Sequence, residues 1–204
     1  MIRCNVTVCG IVSREVTNRT NNDGNAFMTF AMNVVIPARN GINKTVEISV
    51  AKDGIDDGLT ALKTGERIEV SGILTMKKRG ENMFLNLSAK TVNVTSAEDS
   101  IKGDMDFRGK IGNTVEEKTD RKGRPYIQFS AFSTERLQDG FEYTWIRFIR
   151  FDKEREAWLQ PAARIEAKGE LELSVFNDRL SLSCRVKNIS EYVQPPYNPN
   201  AQLS

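Results

Sequence analysis

The chain has 204 residues, of which 39% are hydrophobic, and a formal net charge of +2. That suffices for two small cores, and no apolar run approaches the roughly 18 residues needed to cross a bilayer, so a soluble protein with no membrane partner is expected. Histidine is absent, which removes the commonest general base and every histidine-containing metal or nucleophile site; no Walker loop, GxGxxG or GxSxG sequence stands in for it, so neither an enzyme nor a cofactor is expected.

The start, Met1 to Val6, alternates polar with apolar residues and lacks the basic and apolar regions of a signal peptide, which makes the cytoplasm the expected location. Val6, Val8 and Val12 share one parity, a polar turn follows from Thr17 to Gly24, and Phe27 to Val35 then reads as the second arm of a hairpin. After the turn Ala38 to Gly41, a third strand is predicted over Lys44 to Val50. Ile55 to Lys63, with Leu59 and Leu62 at helical spacing and Gly65 just beyond, predicts a short helix. Arg67 to Met76 and Met83 to Val94 predict two more strands around the turn Lys78 to Asn82, a hairpin that carries the basic run Lys77-Lys78-Arg79. Cys4, Cys9 and Cys184 show no CxxC spacing and are expected to pack as small apolar residues, with no metal site.

The same order then recurs. Val8, Phe30 and the strand Lys44 to Val50 answer to Phe107, Phe129 and Tyr143 to Ile149, all 99 residues later. Gly72 and Leu74 answer to Gly169 and Leu171 at an offset of 97, and Leu85 and Leu87 to Leu180 and Leu182 at 95. A period near 100 residues is that of a whole domain rather than a solenoid repeat. The second copy predicts strands at Met105 to Thr114, Tyr126 to Ser133, Tyr143 to Phe151, Arg164 to Val175 and Arg179 to Tyr192, with a helix near Lys153 to Leu159. Three strands, a helix and a hairpin are most economically closed as a five-stranded barrel, which removes the sheet edges. The expected fold is therefore all-β: two tandem OB-folds, Greek-key barrels of five strands with one short helix each. Residues 1–97 form the first and residues 104–192 the second, Ser96 to Gly103 is the linker, and residues 193–204 are a disordered tail.

Charge divides unevenly. Residues 1–97 carry twelve Lys/Arg against nine Asp/Glu, and residues 104–192 carry sixteen of each, so a binding surface in the second repeat must be a local stripe. OB-folds hold single strands with a basic groove and aromatic platforms. Met28, Phe30, Met32 and Val34, like Ile127, Phe129 and Ala131, share the core parity, which turns Phe27 and Tyr126 outward. In the third strand of the second repeat, Trp145, Arg147, Ile149 and Phe151 share the outward parity. An arginine between two rings can grip a phosphate while the rings take bases. Periodicity equally allows Trp145 and Phe151 to be barrel residues with Arg147 merely solvated. Trp158 is expected in the core, and Phe176 at a hairpin tip.

These residues resemble the bacterial single-stranded DNA-binding proteins (SSB): Gly109 in the first strand, Gly123 with Phe129, Thr144-Trp145-Ile146-Arg147, and Ala167-Lys168-Gly169-Glu170-Leu171. The resemblance spans roughly residues 3–192. It implies sequence-independent binding of single-stranded DNA, in replication, recombination and repair, with Trp145, Arg147, Phe151 and Phe176 at the binding positions and Tyr126 and Phe27 beside them. The first repeat departs there, with Val46, Ile48, Lys52 and Arg79, although the run Lys77-Lys78-Arg79 could hold phosphates without stacking. The family works with four OB-folds, which implies a homodimer. The family's acidic terminal tip is missing from Pro199 to Ser204, so recruitment of replication proteins by that route is not expected. The alternative is an SSB-like module that binds proteins and has lost strand binding.

Overall fold

A computed structural model describes residues 1–38, 41–151, 154–177 and 179–193. The strands are β1 (Ile2–Thr20), β2 (Ala26–Ile36), β3 (Lys44–Asp53), β4 (Arg67–Arg79), β5 (Asn82–Val94), β6 (Ser100–Thr119), β7 (Pro125–Leu137), β8 (Gly140–Phe151), β9 (Arg164–Phe176) and β10 (Arg179–Glu191), with one short helix, α1 (Asp57–Thr60). Alternation in the sequence becomes alternation in burial. In β4, Ile68, Val70, Leu74 and Met76 turn inward, while Glu69, Ser71, Ile73 and Thr75 between them stay partly exposed.

Strand β1 pairs with both β2 and β4, β4 with β5, β2 with β3, and β3 runs parallel to β5, so the first five strands close on themselves. Strands β6 to β10 close in the same order, with β8 parallel to β10. Both are OB-folds by strand order. The first strand serves both sides of each barrel, and it bends through register shifts between Val12 and Thr17 and between Ile111 and Val115. At the matched positions Gly10 and Gly109 a Cβ would lie 2.4 Å from the Asn33 carbonyl and 2.2 Å from the Phe132 carbonyl, so the bend needs glycine in both copies.

The two barrels are joined by a backbone ladder. β1 pairs antiparallel with β6 from Ile2 opposite Phe107 to Cys9 opposite Ser100. Under the offset of 99, Asp104 is the counterpart of Asn5, and these two face each other. Likewise Ile2 faces the counterpart of Val8, and Val8 faces the counterpart of Ile2. The first strand thus pairs with its own copy about a local two-fold axis, the geometry of an isologous contact held within one chain.

Three expectations are corrected here. The linker is shorter than Ser96 to Gly103, because β6 already begins at Ser100, and the preceding Asp99 is pinned: its carboxylate accepts from the Val35 N–H at 2.7 Å and pairs with Arg67. The helix near Lys153 to Leu159 does not form over the described part, residues 154–159, which is turn and coil. There a bidentate ion pair between the buried Arg150 and Glu156, 2.6 Å on its second arm, ties the segment down. Arg155 donates to the Leu159 carbonyl at 2.8 Å, Leu159 plugs the core and Trp158 is half-buried against it. In the first barrel Leu59 and Leu62 plug the same end, and the helix shrinks to one turn capped by Asp56.

The third correction concerns register. Val50 pairs with Phe30 and Leu87, and Phe148 pairs with Phe129 and Cys184, so the third strands correspond at an offset of 98. Gly72 faces Ala89 and Gly169 faces Val186, so β5 and β10 correspond at 97 and the offset never reaches 95. One residue of slip exchanges the faces of a strand. The counterparts of Trp145, Arg147 and Phe151 are therefore Glu47, Ser49 and Asp53, while Val46 and Ile48 sit on the core parity.

The tail expected to be disordered lies, from Gln194 on, outside the described residues. All three cysteines are free and buried, and burial pushes the Cys4 and Cys184 thiols up to about 12. Among the described residues no helix is long and apolar enough to cross a membrane.

Gly103 tests the ladder between barrels. Its φ is +153°, and a Cβ there would lie 2.0 Å from the Asn5 carbonyl. Gly103→Ala is expected to lower stability by about 1–3 kcal/mol and to split one calorimetric unfolding transition into two; a single unshifted transition would contradict the fused arrangement.

Candidate nucleic-acid interface

The outer face of barrel two is set by the β7–β8 register, which places Tyr126 opposite Phe151, Gln128 opposite Ile149, Ser130 opposite Arg147 and Phe132 opposite Trp145. The intervening Ile146 and Phe148 fill the core, where the Phe148 ring packs 4.8 Å from Phe107 and 5.1 Å from Phe129. Alternation along β8 therefore forces Trp145 and Arg147 outward.

Trp145 is 52% exposed, yet it is held. Its ring lies 4.8 Å from Phe132, which in turn meets Tyr143 at 5.4 Å. Gly112 lies beneath it, where a Cβ would come within 2.9 Å of the indole. The indole is thus propped with one surface open. Arg147, exposed, lies between Ser130 and Ser183 on the flanking strands. Trp145 and Arg147 line a cleft of about 470 Å³ with Phe176 and Arg179 of the β9–β10 hairpin. Phe176 is 65% exposed. A ring, a guanidinium and a second ring around one cleft can take a base, a phosphate and a base.

Phe151 forms a second cluster, six residues and roughly 20 Å along the strand from Trp145. It is half-buried, with Tyr126 at 5.5 Å and the Arg124 and Arg185 guanidiniums each 5.2 Å from its ring centre. Arg124 is itself paired with Asp120 at 2.8 Å, which offsets its charge at this end of the sheet.

The residues expected from the first repeat do not join this face. Phe27 is half-buried on barrel one, opposite Asp53. Lys52 lies on the core parity opposite Met28, its side chain 21% exposed and 3.6 Å from Asp56. The basic hairpin is engaged across the barrels. Arg79 makes a two-armed contact with Glu135 at 3.0 and 3.3 Å, and Lys78 lies 3.7 Å from Glu142. Hydrogen bonding from Arg79 holds the Glu135 carboxyl below the usual carboxylate range. Lys77 is exposed, across the hairpin from Phe84.

Sequence reasoning missed Phe132, Tyr143, Phe141, Arg124, Arg179, Arg185 and Gly112. Phe132 had a signal, since it continues the outward parity of Tyr126, Gln128 and Ser130. Arg185 and Gly112 had none, because each acts through a strand distant in sequence. Among the described residues no group of His, Cys, Asp and Glu could hold a metal ion.

No protein-family model matches the chain, and no curated protein matches it. Among solved structures it is similar to the wild-type single-stranded DNA binding protein from Thermus aquaticus, at 12% identity over 97% of this chain and 96% of that chain, with a TM-score of 0.47. A deletion mutant of that Thermus protein shares 13% identity over 98% of both chains, at a TM-score of 0.45. The small single-stranded DNA-binding protein from Streptomyces coelicolor is 18% identical over 48% of this chain and 96% of that one, at a TM-score of 0.35. The OB-fold follows from the strand order of each barrel.

Gly112→Ala tests the seat of the indole. The added methyl is expected to lift Trp145 and shift its fluorescence to longer wavelength, with the melting temperature changed little; an unaltered spectrum would mean that the ring does not rest on Gly112.

Proposed function

We propose that the chain binds single-stranded DNA with little sequence preference through the outer face of barrel two, by stacking and charge and without chemistry. The carrying observation is Trp145, an indole supported by Phe132 and Gly112 with a free surface toward a cleft that also holds Arg147 and Phe176. An apolar ring left half in water gains when a base covers it, and every base has a face to offer, which explains binding without sequence preference. The sequence resemblance to SSB supports the same reading. With it goes a cytoplasmic role in replication, recombination and repair, as a homodimer with four OB-folds. Because β1 already pairs with β6, the second copy must attach through another surface.

A second reading has one observation in its favour. Phe141, Tyr143 and Trp145 form an exposed apolar stripe along β8, which would also suit a protein partner.

Titration of a fluorescent oligo-dT and a duplex of equal length separates the two. The single strand is expected to bind better, and Trp145→Ala is expected to weaken it by about 1–3 kcal/mol with the fold intact. Arg147→Ala should flatten the slope of log K against log salt by about 0.7, one phosphate contact on a single strand. Wild-type affinity in Trp145→Ala would remove the proposed site, and no single-strand binding at low salt would favour the protein-binding reading.

A further inference from the structure

Barrel one has its own exposed ring, in a place the repeat comparison does not point to. Phe84 on β5 is 52% exposed, whereas its counterpart in barrel two, at an offset of 97, is Ser181. Across the hairpin it faces Lys77. On its other side lies a cleft of about 760 Å³ whose charged lining is Lys44, Lys78, Glu47 and Glu81, with the β9–β10 hairpin of barrel two contributing to its wall. That contribution is Arg179 and Leu180, the same two residues that line the cleft of Trp145 and Phe176. The Phe84 cleft also shares Ser49 with a third cleft, of about 770 Å³, where Arg3, Arg14 and Arg19 stand against Glu15 and where Ile73 and Ala51 lie among Thr29, Thr75, Asn86 and Ser88.

We propose that a single strand leaves barrel two over the β9–β10 hairpin and continues across barrel one, with Phe84 as its stacking platform there. This rests on the single-strand reading above. Three clefts joined by shared walls form one path over both barrels. Arg179 stands at the crossing, paired with Glu81 at 2.9 Å with both side chains 78% exposed, and so exposed a pair yields readily to a phosphate. Beyond Phe84 the cleft offers three arginines, Arg3, Arg14 and Arg19, against one carboxylate, Glu15, among mixed polar and apolar side chains, which suits a sugar–phosphate backbone. Barrel one would thus stack one base and hold the remaining nucleotides by charge. The two carboxylates of the Phe84 cleft are each paired with an arginine, Glu47 with Arg14 at 2.8 Å and Glu81 with Arg179 at 2.9 Å, so Lys44, Lys77 and Lys78 around Phe84 favour a polyanion over a second copy of the chain.

The test compares wild type, Phe84→Ala, Phe84→Tyr and Trp145→Ala on oligo-dT of about 8 and about 30 nucleotides, lengths chosen to fill one barrel or both. Phe84→Ala is expected to weaken the long strand by about 5- to 150-fold, the range for one stacked base, and to leave the short one bound to barrel two as in wild type. Phe84→Tyr should restore the long strand, and Trp145→Ala should weaken both. The proposal is overturned if Phe84→Ala matches wild type on the long strand while Trp145→Ala does not, or if its loss accompanies a change in sedimentation, which would make Phe84 an interface between copies. Wild type binding neither length would instead bring down the single-strand reading itself.

Discussion

The antiparallel pairing of β1 with β6 fixes the arrangement of everything else, because it fuses two barrels that a loose connector would leave free to rotate. Its hydrogen bonds belong to the backbone and its register runs over eight residues of each strand, so the relative orientation is set by pairing rather than by side-chain contacts at a surface. Once the ladder is in place, each barrel's second hairpin reaches the other. The β4–β5 hairpin meets β7 and β8 through Arg79 and Lys78, and the β9–β10 hairpin meets barrel one through Arg179. These exposed ion pairs contribute little stability individually. Their effect is to hold the hairpins where the clefts of the two barrels share walls.

Within this symmetric frame the two outer faces have diverged. Barrel two presents Trp145, Arg147 and Phe151 from β8, and barrel one presents Glu47, Ser49 and Asp53 from β3. Glu47 is occupied by Arg14 at 2.8 Å. A strand held evenly by two such barrels would need the same chemistry twice. The distribution seen here instead concentrates the exposed rings, Phe141, Tyr143, Trp145 and Phe176, in barrel two and leaves barrel one with the single exposed ring of Phe84 among the described residues.

Much of this was legible in the sequence where the physics is local. The alternation of Met28, Phe30, Met32 and Val34, and of Ile146 and Phe148, marked the core faces, and with them the outward turn of Trp145, because strand parity needs no knowledge of distant residues. The one-residue slip in the third strand was not legible, since Val46 and Trp145 are both apolar and match well enough at the wrong offset. The missing helix of barrel two failed for a related reason. Ala157, Trp158 and Leu159 look helical, but the segment is secured by Arg150 and Glu156 across a turn. The basic run Lys77-Lys78-Arg79 read as a phosphate site because its acidic partners, Glu135 and Glu142, lie more than fifty residues away along the chain.

The most direct test of the central claim, that bases lie on the outer face of barrel two, is photocrosslinking of thymine-bearing single strands to the intact chain, with the modified peptides identified by mass spectrometry. Crosslinks in β8 at Trp145 and at the β9–β10 hairpin beside Phe176 are the predicted result. Bound strands that crosslink only outside those segments would contradict it.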